Sequence, residues 1–87
     1  MKEFIIAYDI CDEKRLRKIA KYLERRAMRI QFSLYFISNC SKSTLMQMMK
    51  KIKEIIDIEN DDVRVYEIDV LKSIYINKED DLKYLVL

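Results

Sequence analysis

Apolar and polar positions follow one another with a period that changes along the chain, and the changes mark out its elements. Residues 4–8 are a short apolar run of β-branched and aromatic side chains, preceded by the polar pair Lys2 and Glu3. A run of that length predicts a buried strand, and Asp9 closes it. From Asp12 to Arg26 the period is helical. Leu16, Ile19, Ala20 and Leu23 recur at i, i+3, i+4 and i+7 as one apolar stripe, with Lys14, Arg15, Arg17, Lys18, Lys21 and Arg25 off it. Asp12 suits the N-cap, and with Glu13 it places acids at the positive end of the helix dipole. Arg29 to Ser38 is rich in Ile, Phe, Leu and Tyr and reads as extended, either one long strand or two short ones with a turn near Gln31–Ser33. A second helix is expected from about Ser43 to Ile56, its stripe made by Leu45, Met48, Met49, Ile52, Ile55 and Ile56, with Thr44 and Gln47 as a capping box. The methionines of that stripe read as core filler rather than as a binding surface. An acidic loop at Asp57–Asp62, a strand from Val63 to Val70 and an extended stretch at Ser73–Asn77 complete the series.

The order strand, helix, strand or strand pair, helix, strand is that of the split βαβ unit. It predicts an α+β, ferredoxin-like βαββαβ sandwich with an extra C-terminal strand. The 87 residues make one domain, 1–87. A domain this small buries only about 60% of its unfolded surface, and dimerisation is a common remedy. Residues 71–87 have no place in the minimal domain and end in Tyr84, Leu85, Val86 and Leu87, apolar side chains that should not face water. They are expected to pack on a second copy, making an obligate homodimer with an exchanged C-terminal segment.

Composition narrows the function classes. An apolar fraction of 51% excludes a disordered chain. There is no Gly and no Pro, so positive φ must fall on Asn or Asp, with Asn39, Asn60, Asp61 and Asn77 the candidates. No signal-peptide pattern and no apolar run of membrane-spanning length is present, so no membrane partner is expected. Cys11 and Cys40 are therefore expected to be free thiols in a cytoplasmic protein, and two lone Cys without any His do not make a structural zinc site. The net charge of +2 conceals an asymmetry: residues 12–31 carry +5, residues 32–53 carry +4, and residues 54–87 carry −6. A basic half next to an acidic half predicts a polyanionic partner; the competing reading is an ordinary solvated helix face.

With no His the commonest general base is missing, and a Ser–His–Asp triad is ruled out. With no Gly there is no glycine-rich phosphate loop, and nothing in the sequence nominates a base to activate Cys11 or Cys40. Carboxylate chemistry with a divalent metal remains. Asp9 is the best candidate because it stands where a buried strand opens to solvent, a place where ligands gather in α/β sheets. Mg²⁺ takes carboxylate oxygens and keeps several waters. One Asp per chain is a thin ligand set, which two copies facing each other across a dimer axis would double; otherwise Asp9 only caps the following loop or helix. Arg15, Arg17 and Arg29 have the planar fork that grips phosphodiesters. Tyr8, Phe32 and Tyr35 lie interleaved with them and are either base-stacking platforms or core, and Phe32 is assigned to the core.

The run Tyr8-Asp9-Ile10, then Asp12, Arg15 and Arg17, then Arg29-Ile30-Gln31-Phe32-Ser33-Leu34-Tyr35, then Asp62-Val63-Arg64-Val65-Tyr66, resembles the CRISPR-associated Cas-two family over roughly residues 3–70. Ala27 departs from that pattern, which usually has Gly there, and Leu34-Tyr35 stand where the family usually carries Val and Phe. The resemblance implies a ferredoxin-like fold and a symmetric homodimer in which the C-terminal strand of one protomer joins the sheet of the other. It also implies assembly with the Cas-one integrase around a prespacer DNA duplex in spacer acquisition. For some members it implies a metal-dependent (Mg²⁺) endonuclease acting on single-stranded RNA or double-stranded DNA. On that basis Asp9 is the metal-binding and catalytic residue, and Tyr8, Arg15, Arg17, Arg29, Ser33 and Tyr35 support it or bind nucleic acid. Two other readings stay open: a non-catalytic DNA-binding scaffold for the integrase, and a toxin-like ribonuclease domain of similar build.

Overall fold

The structure, a computed structural model, describes residues 2–69. The expected strand at Ser73–Asn77, the apolar end Tyr84–Leu87 and the exchanged segment 71–87 lie outside the described residues. Within them the order is β1 (Lys2–Asp9), α1 (Glu13–Glu24), β2 (Met28–Gln31), β3 (Leu34–Cys40), α2 (Lys42–Ile55) and β4 (Asp62–Ile68). The four strands form one antiparallel sheet in the order β2-β3-β1-β4. This is the ferredoxin-like βαββαβ arrangement that the periodicity predicts.

Side chains alternate across a strand, so β1 divides into two faces. Phe4, Ile6 and Tyr8 are buried, and Ile6 lies opposite Tyr35 of β3 and Val65 of β4. Both helices cover this face. Ile19 and Leu23 of α1, and Leu45, Met48 and Ile52 of α2, close over it with Tyr35 and Ile37. The methionine stripe is core at Met48 and partly buried at Met49. The other sheet face carries Ile5, Ala7 and Asp9, with Leu34, Phe36 and Tyr66 in register beside them. No described element covers it, and Tyr66 and Met28 are exposed.

Local chemistry sets the ends of the elements. Asp12 caps α1 as expected, accepting from the Arg15 amide at 2.9 Å. The cap of α2 differs from the Thr44–Gln47 expectation. Ser41, in extended conformation directly after β3, accepts from the Thr44 amide at 3.1 Å and donates its hydroxyl to Thr44 Oγ1 at 2.9 Å. The helix therefore starts earlier and Thr44 is its third residue. Three hydroxyl residues stand close together here, and only the point where β3 ends selects among them.

The extended region 29–38 is two strands. Phe32 and Ser33 form the connection, with Gln31 opposite Leu34. Phe32 is 76% exposed rather than core, because the tip of a tight hairpin lies beyond the reach of either helix. Among the described residues positive φ occurs at Asn39 alone, at 54°. Between Phe4↔Ile37 and Lys2↔Cys40 the register gains one residue on β3, so Asn39 sits in a bulge, where left-handed backbone is needed and Asn tolerates it. Residues 25–27 reach β2 without positive φ, which is why Ala27 serves where the related pattern has Gly.

Leu23 is fully buried, so Leu23→Ala is expected to lower stability by about 3 kcal/mol in urea unfolding. Phe32→Ala is expected to change it by less than about 1 kcal/mol, since the side chain leaves no cavity.

Candidate functional site

The residues singled out in the sequence fall into four places. Asp9 is exposed at the end of β1, on the uncovered sheet face. Its cross-strand neighbour is Asp62, also exposed, which accepts from Arg64 Nε at 2.9 Å. That hydrogen bond raises the Arg64 pKa. Like charges directly opposite on two strands repel, and a cation between them relieves the repulsion. A hydrated Mg²⁺ is commonly held by one or two carboxylates, so the pair fits one side of such a site. Among the described residues no group of three His, Cys, Asp or Glu surrounds a metal position, and a protomer by itself gives no closed cage.

Tyr8, Arg29, Ser33 and Tyr35 come together on the opposite, helix-covered side. Tyr8 and Tyr35 are buried and stacked, with ring centroids 6.0 Å apart. The Arg29 guanidinium lies 5.7 Å from the Tyr35 ring and 5.3 Å from that of Phe32, and donates to the Phe32 carbonyl at 3.1 Å. The Ser33 carbonyl accepts from the Tyr8 amide at 3.1 Å. Neither tyrosine hydroxyl meets a hydrogen-bond partner among the described residues. Burial, reinforced by the neighbouring Tyr35, pushes the Tyr8 hydroxyl pKa up. The two tyrosines are therefore core side chains rather than stacking platforms, and of the three aromatics interleaved with the arginines only Phe32 presents an open ring.

Arg15 and Arg17, two residues apart, have different surroundings. Arg17 is 71% exposed and among the described residues has an ion-pair contact with Glu13 alone, at 4.0 Å. Arg15 is turned toward Asp61, whose side chain has no exposure. Its Nε donates to Oδ2 at 2.7 Å and its Nη2 to Oδ1 at 3.1 Å. Asp61 also accepts from the Cys11 amide at 2.9 Å and the Asp57 amide at 2.8 Å. Arg15 above all, then these amides, outweigh burial and hold the Asp61 carboxyl far below the usual carboxylate range. Asp57, which accepts from the Asn60 side-chain amide and the Glu59 backbone, is lowered for the same kind of reason. The sequence marks Asp61 only as a member of an acidic loop and as a candidate for positive φ, which neither it nor Asn60 adopts.

The outer layer is basic. Lys14, Lys18, Lys21 and Arg25 of α1 and its end, with Lys42, Lys50 and Lys53 of α2, make no ion pair among the described residues. A shallow cleft of about 340 Å³ runs between the helices, lined by Lys18, Lys21, Arg25, Arg26 and Lys51 around Tyr22. The Arg26 guanidinium stacks on the Tyr22 ring at 4.0 Å. Cys11 and Cys40 are both free thiols, the first exposed and the second buried. Among the described residues no helix is long and apolar enough to cross a membrane.

Comparison with known proteins adds an independent finding. The sequence matches the family described as CRISPR associated protein Cas2 over residues 1–75. CRISPR-associated endoribonuclease Cas2 1 of Nitrosomonas europaea is 38% identical over 66 residues, which cover 76% of this chain and 62% of that protein. The match thus spans about three fifths of that relative's length. CRISPR-associated endoribonuclease Cas2 3 of Synechocystis is 38% identical over 63 residues, 72% of this chain and 67% of that one. Among solved structures, Streptococcus pyogenes Cas2 at pH 6.5 superposes with a TM-score of 0.69 at 26% identity, covering 77% of this chain and 86% of that one. A chain of a partial Cas6-RT-Cas1–Cas2 complex superposes with a TM-score of 0.71 at 26% identity, covering 79% and 75%.

The depressed Asp61 and Asp57 pKa values have a pH consequence. A carboxyl whose folded pKa is lowered stabilises the fold fully above its unfolded pKa, and that contribution disappears as pH falls toward the folded value. Stability is therefore expected to decline from about pH 5 downward. Asp61→Asn should be less stable by about 2 kcal/mol at neutral pH, with a flatter acid branch. Urea unfolding at neutral and acid pH checks this; an equally steep acid branch in the variant would move the acid sensitivity to other carboxylates.

Proposed function

The chain belongs to the family of CRISPR associated protein Cas2, and on that premise we propose that it acts in CRISPR spacer acquisition as a homodimer, with metal-dependent endonuclease chemistry centred on Asp9. The observation that carries the site is the position of Asp9, exposed at the margin of an apolar sheet face. The names of the related proteins support RNA as the substrate class. The likeness to a chain of a Cas1–Cas2 assembly supports the Cas1 integrase as partner. Membership of this family sets aside the toxin-like ribonuclease reading.

A second copy laid on Ile5, Ala7, Leu34, Phe36 and Tyr66 would remove those side chains from water and bring a second Asp9 toward the first. Mg²⁺ bound there would supply a more acidic coordinated water and neutralise charge on a phosphate. The Asp9 carboxylates would hold the ion, beside an Asp62 that is already paired with Arg64. No His is available to act as base, which suits chemistry of this kind. The basic outer layer serves a separate task. Arg17, Lys18 and Lys21 offer charge to a phosphate backbone on the helix side, with the sheet between them and the face that carries Asp9.

One observation favours the non-catalytic scaffold as a second reading. Tyr8 and Tyr35 are buried and Arg15 is engaged by Asp61, so three of the side chains expected to assist Asp9 do not face it. A duplex held on the helix layer needs none of them.

Asp9→Asn is expected to keep the fold within about 0.5 kcal/mol of the parent and to lose Mg²⁺- or Mn²⁺-dependent cleavage of single-stranded RNA by at least about 100-fold. A parent chain that cuts neither RNA nor duplex DNA with any divalent metal leaves the scaffold reading. In a separate binding assay, Arg17→Glu with Lys21→Glu should weaken duplex binding alike for all sequences. The slope of log Kd against log salt should fall by about 0.9 for each phosphate that is no longer neutralised. Unchanged affinity would make the outer layer an ordinary solvated face.

A further inference from the structure

Arg15 has the residue type and the location of a phosphate contact, but the two-nitrogen edge of its guanidinium that would grip a phosphate side-on is already hydrogen-bonded. Nε and Nη2 donate to the two oxygens of Asp61, at 2.7 and 3.1 Å, and Nη1 lies 3.9 Å from Asp12 Oδ2. The side-on, two-bond geometry is the strong form of an Arg–carboxylate pair. One partner has no exposure and the other 27%, against 71% for Arg17. A phosphate could take that edge only by removing the cation paired with the Asp61 side chain, which has no exposure and would keep the Cys11 and Asp57 amides alone, a costly exchange.

The same carboxylate gathers three separate stretches of chain. The Cys11 amide belongs to the connection that leaves Asp9, Arg15 to the first turn of α1, and the Asp57 amide to the turn before β4. Cys11 Sγ adds a contact to the Asn60 carbonyl at 2.8 Å. We propose that Arg15 and Asp61 form an internal tie that positions the strand end carrying Asp9, and that Arg15 is not a nucleic-acid contact. As far as nucleic acid is concerned the inference rests on the proposed function; the tie itself does not.

The test uses the full chain with Arg15→Gln, Arg15→Lys, Arg17→Gln and Asp61→Asn. Amide hydrogen exchange at Cys11 and Asp57, followed by NMR, should speed up by about 10-fold or more in Arg15→Gln and Asp61→Asn and stay unchanged in Arg17→Gln. Arg15→Lys keeps the charge but loses the two-pronged geometry, so it too should exchange faster, and it replaces Arg15→Gln if that variant does not fold. On a labelled DNA duplex, Arg15→Gln should retain the parent slope of log Kd against log salt, whereas Arg17→Gln should lower it by about 0.9. With single-stranded RNA as substrate, Arg15→Lys should lower kcat and leave KM unchanged, as expected of a misplaced Asp9 with an intact phosphate grip. Unchanged exchange at both amides overturns the tie. A slope lowered by about 0.9 in Arg15→Gln, or a raised KM at constant kcat in Arg15→Lys, overturns the exclusion of Arg15 from nucleic acid. A parent chain that binds no duplex refutes the proposed nucleic-acid role, and the exchange rates then decide the tie by themselves.

Discussion

Two helices of 12 and 14 residues cover one face of a four-stranded sheet and leave the other without a described layer. The placement of Tyr8, Asp9 and Tyr35 follows from that one-sided packing. Because β1 alternates, the constraint forces neighbouring residues apart: Tyr8 goes beneath the helices, and Asp9 goes to the open face. Ile5, Ala7, Leu34 and Phe36 are apolar for the same reason that Phe4 and Ile6 are, yet no described element buries them as deeply. An apolar sheet face in a domain this small is a surface in search of a second layer.

The parts of this arrangement that depend on periodicity are legible in the sequence. The stripes of both helices, the strand at 4–8 and the cap at Asp12 can be read from spacing and residue type, because each is a local choice, whereas residue type offers Asn60 and Asp61 for positive φ as readily as Asn39, which alone of the three takes it. The rest depends on partners distant in the chain. Asp61 meets Arg15 across 46 positions, and no local pattern distinguishes it from Asp57, Glu59 or Asp62 in the same acidic loop. Tyr8 and Tyr35 are open to either role, since a β-strand aromatic at a nucleic-acid site and one in a core have the same sequence context. Hydrophobicity alone puts Phe32 in the core, and the hairpin carries it out. The cap of α2 is Ser41 and not Thr44 because the end of β3, rather than the hydroxyl pattern, sets where the helix begins.

Charge is divided as clearly as hydrophobicity. Lys and Arg side chains that make no close ion pair among the described residues lie on the helix layer, while Asp9 and Asp62 lie on the sheet face beyond it. In the proposed function, holding a polyanion and positioning a metal thus fall to surfaces separated by the core. Arg15 belongs to neither surface, although its sequence neighbours belong to the first. Residue type is a poor guide there, because a guanidinium is defined by what already occupies its nitrogens.

In the proposed function the open sheet face receives a second copy, which completes the layer and pairs the Asp9 positions. Sedimentation velocity of the full chain and of Phe36→Asp at micromolar concentration tests it most directly, with circular dichroism to confirm that both are folded. A dimer is expected for the parent chain and a shift toward monomer for Phe36→Asp. A folded monomer for the parent, or a dimer indifferent to Phe36→Asp, would contradict it.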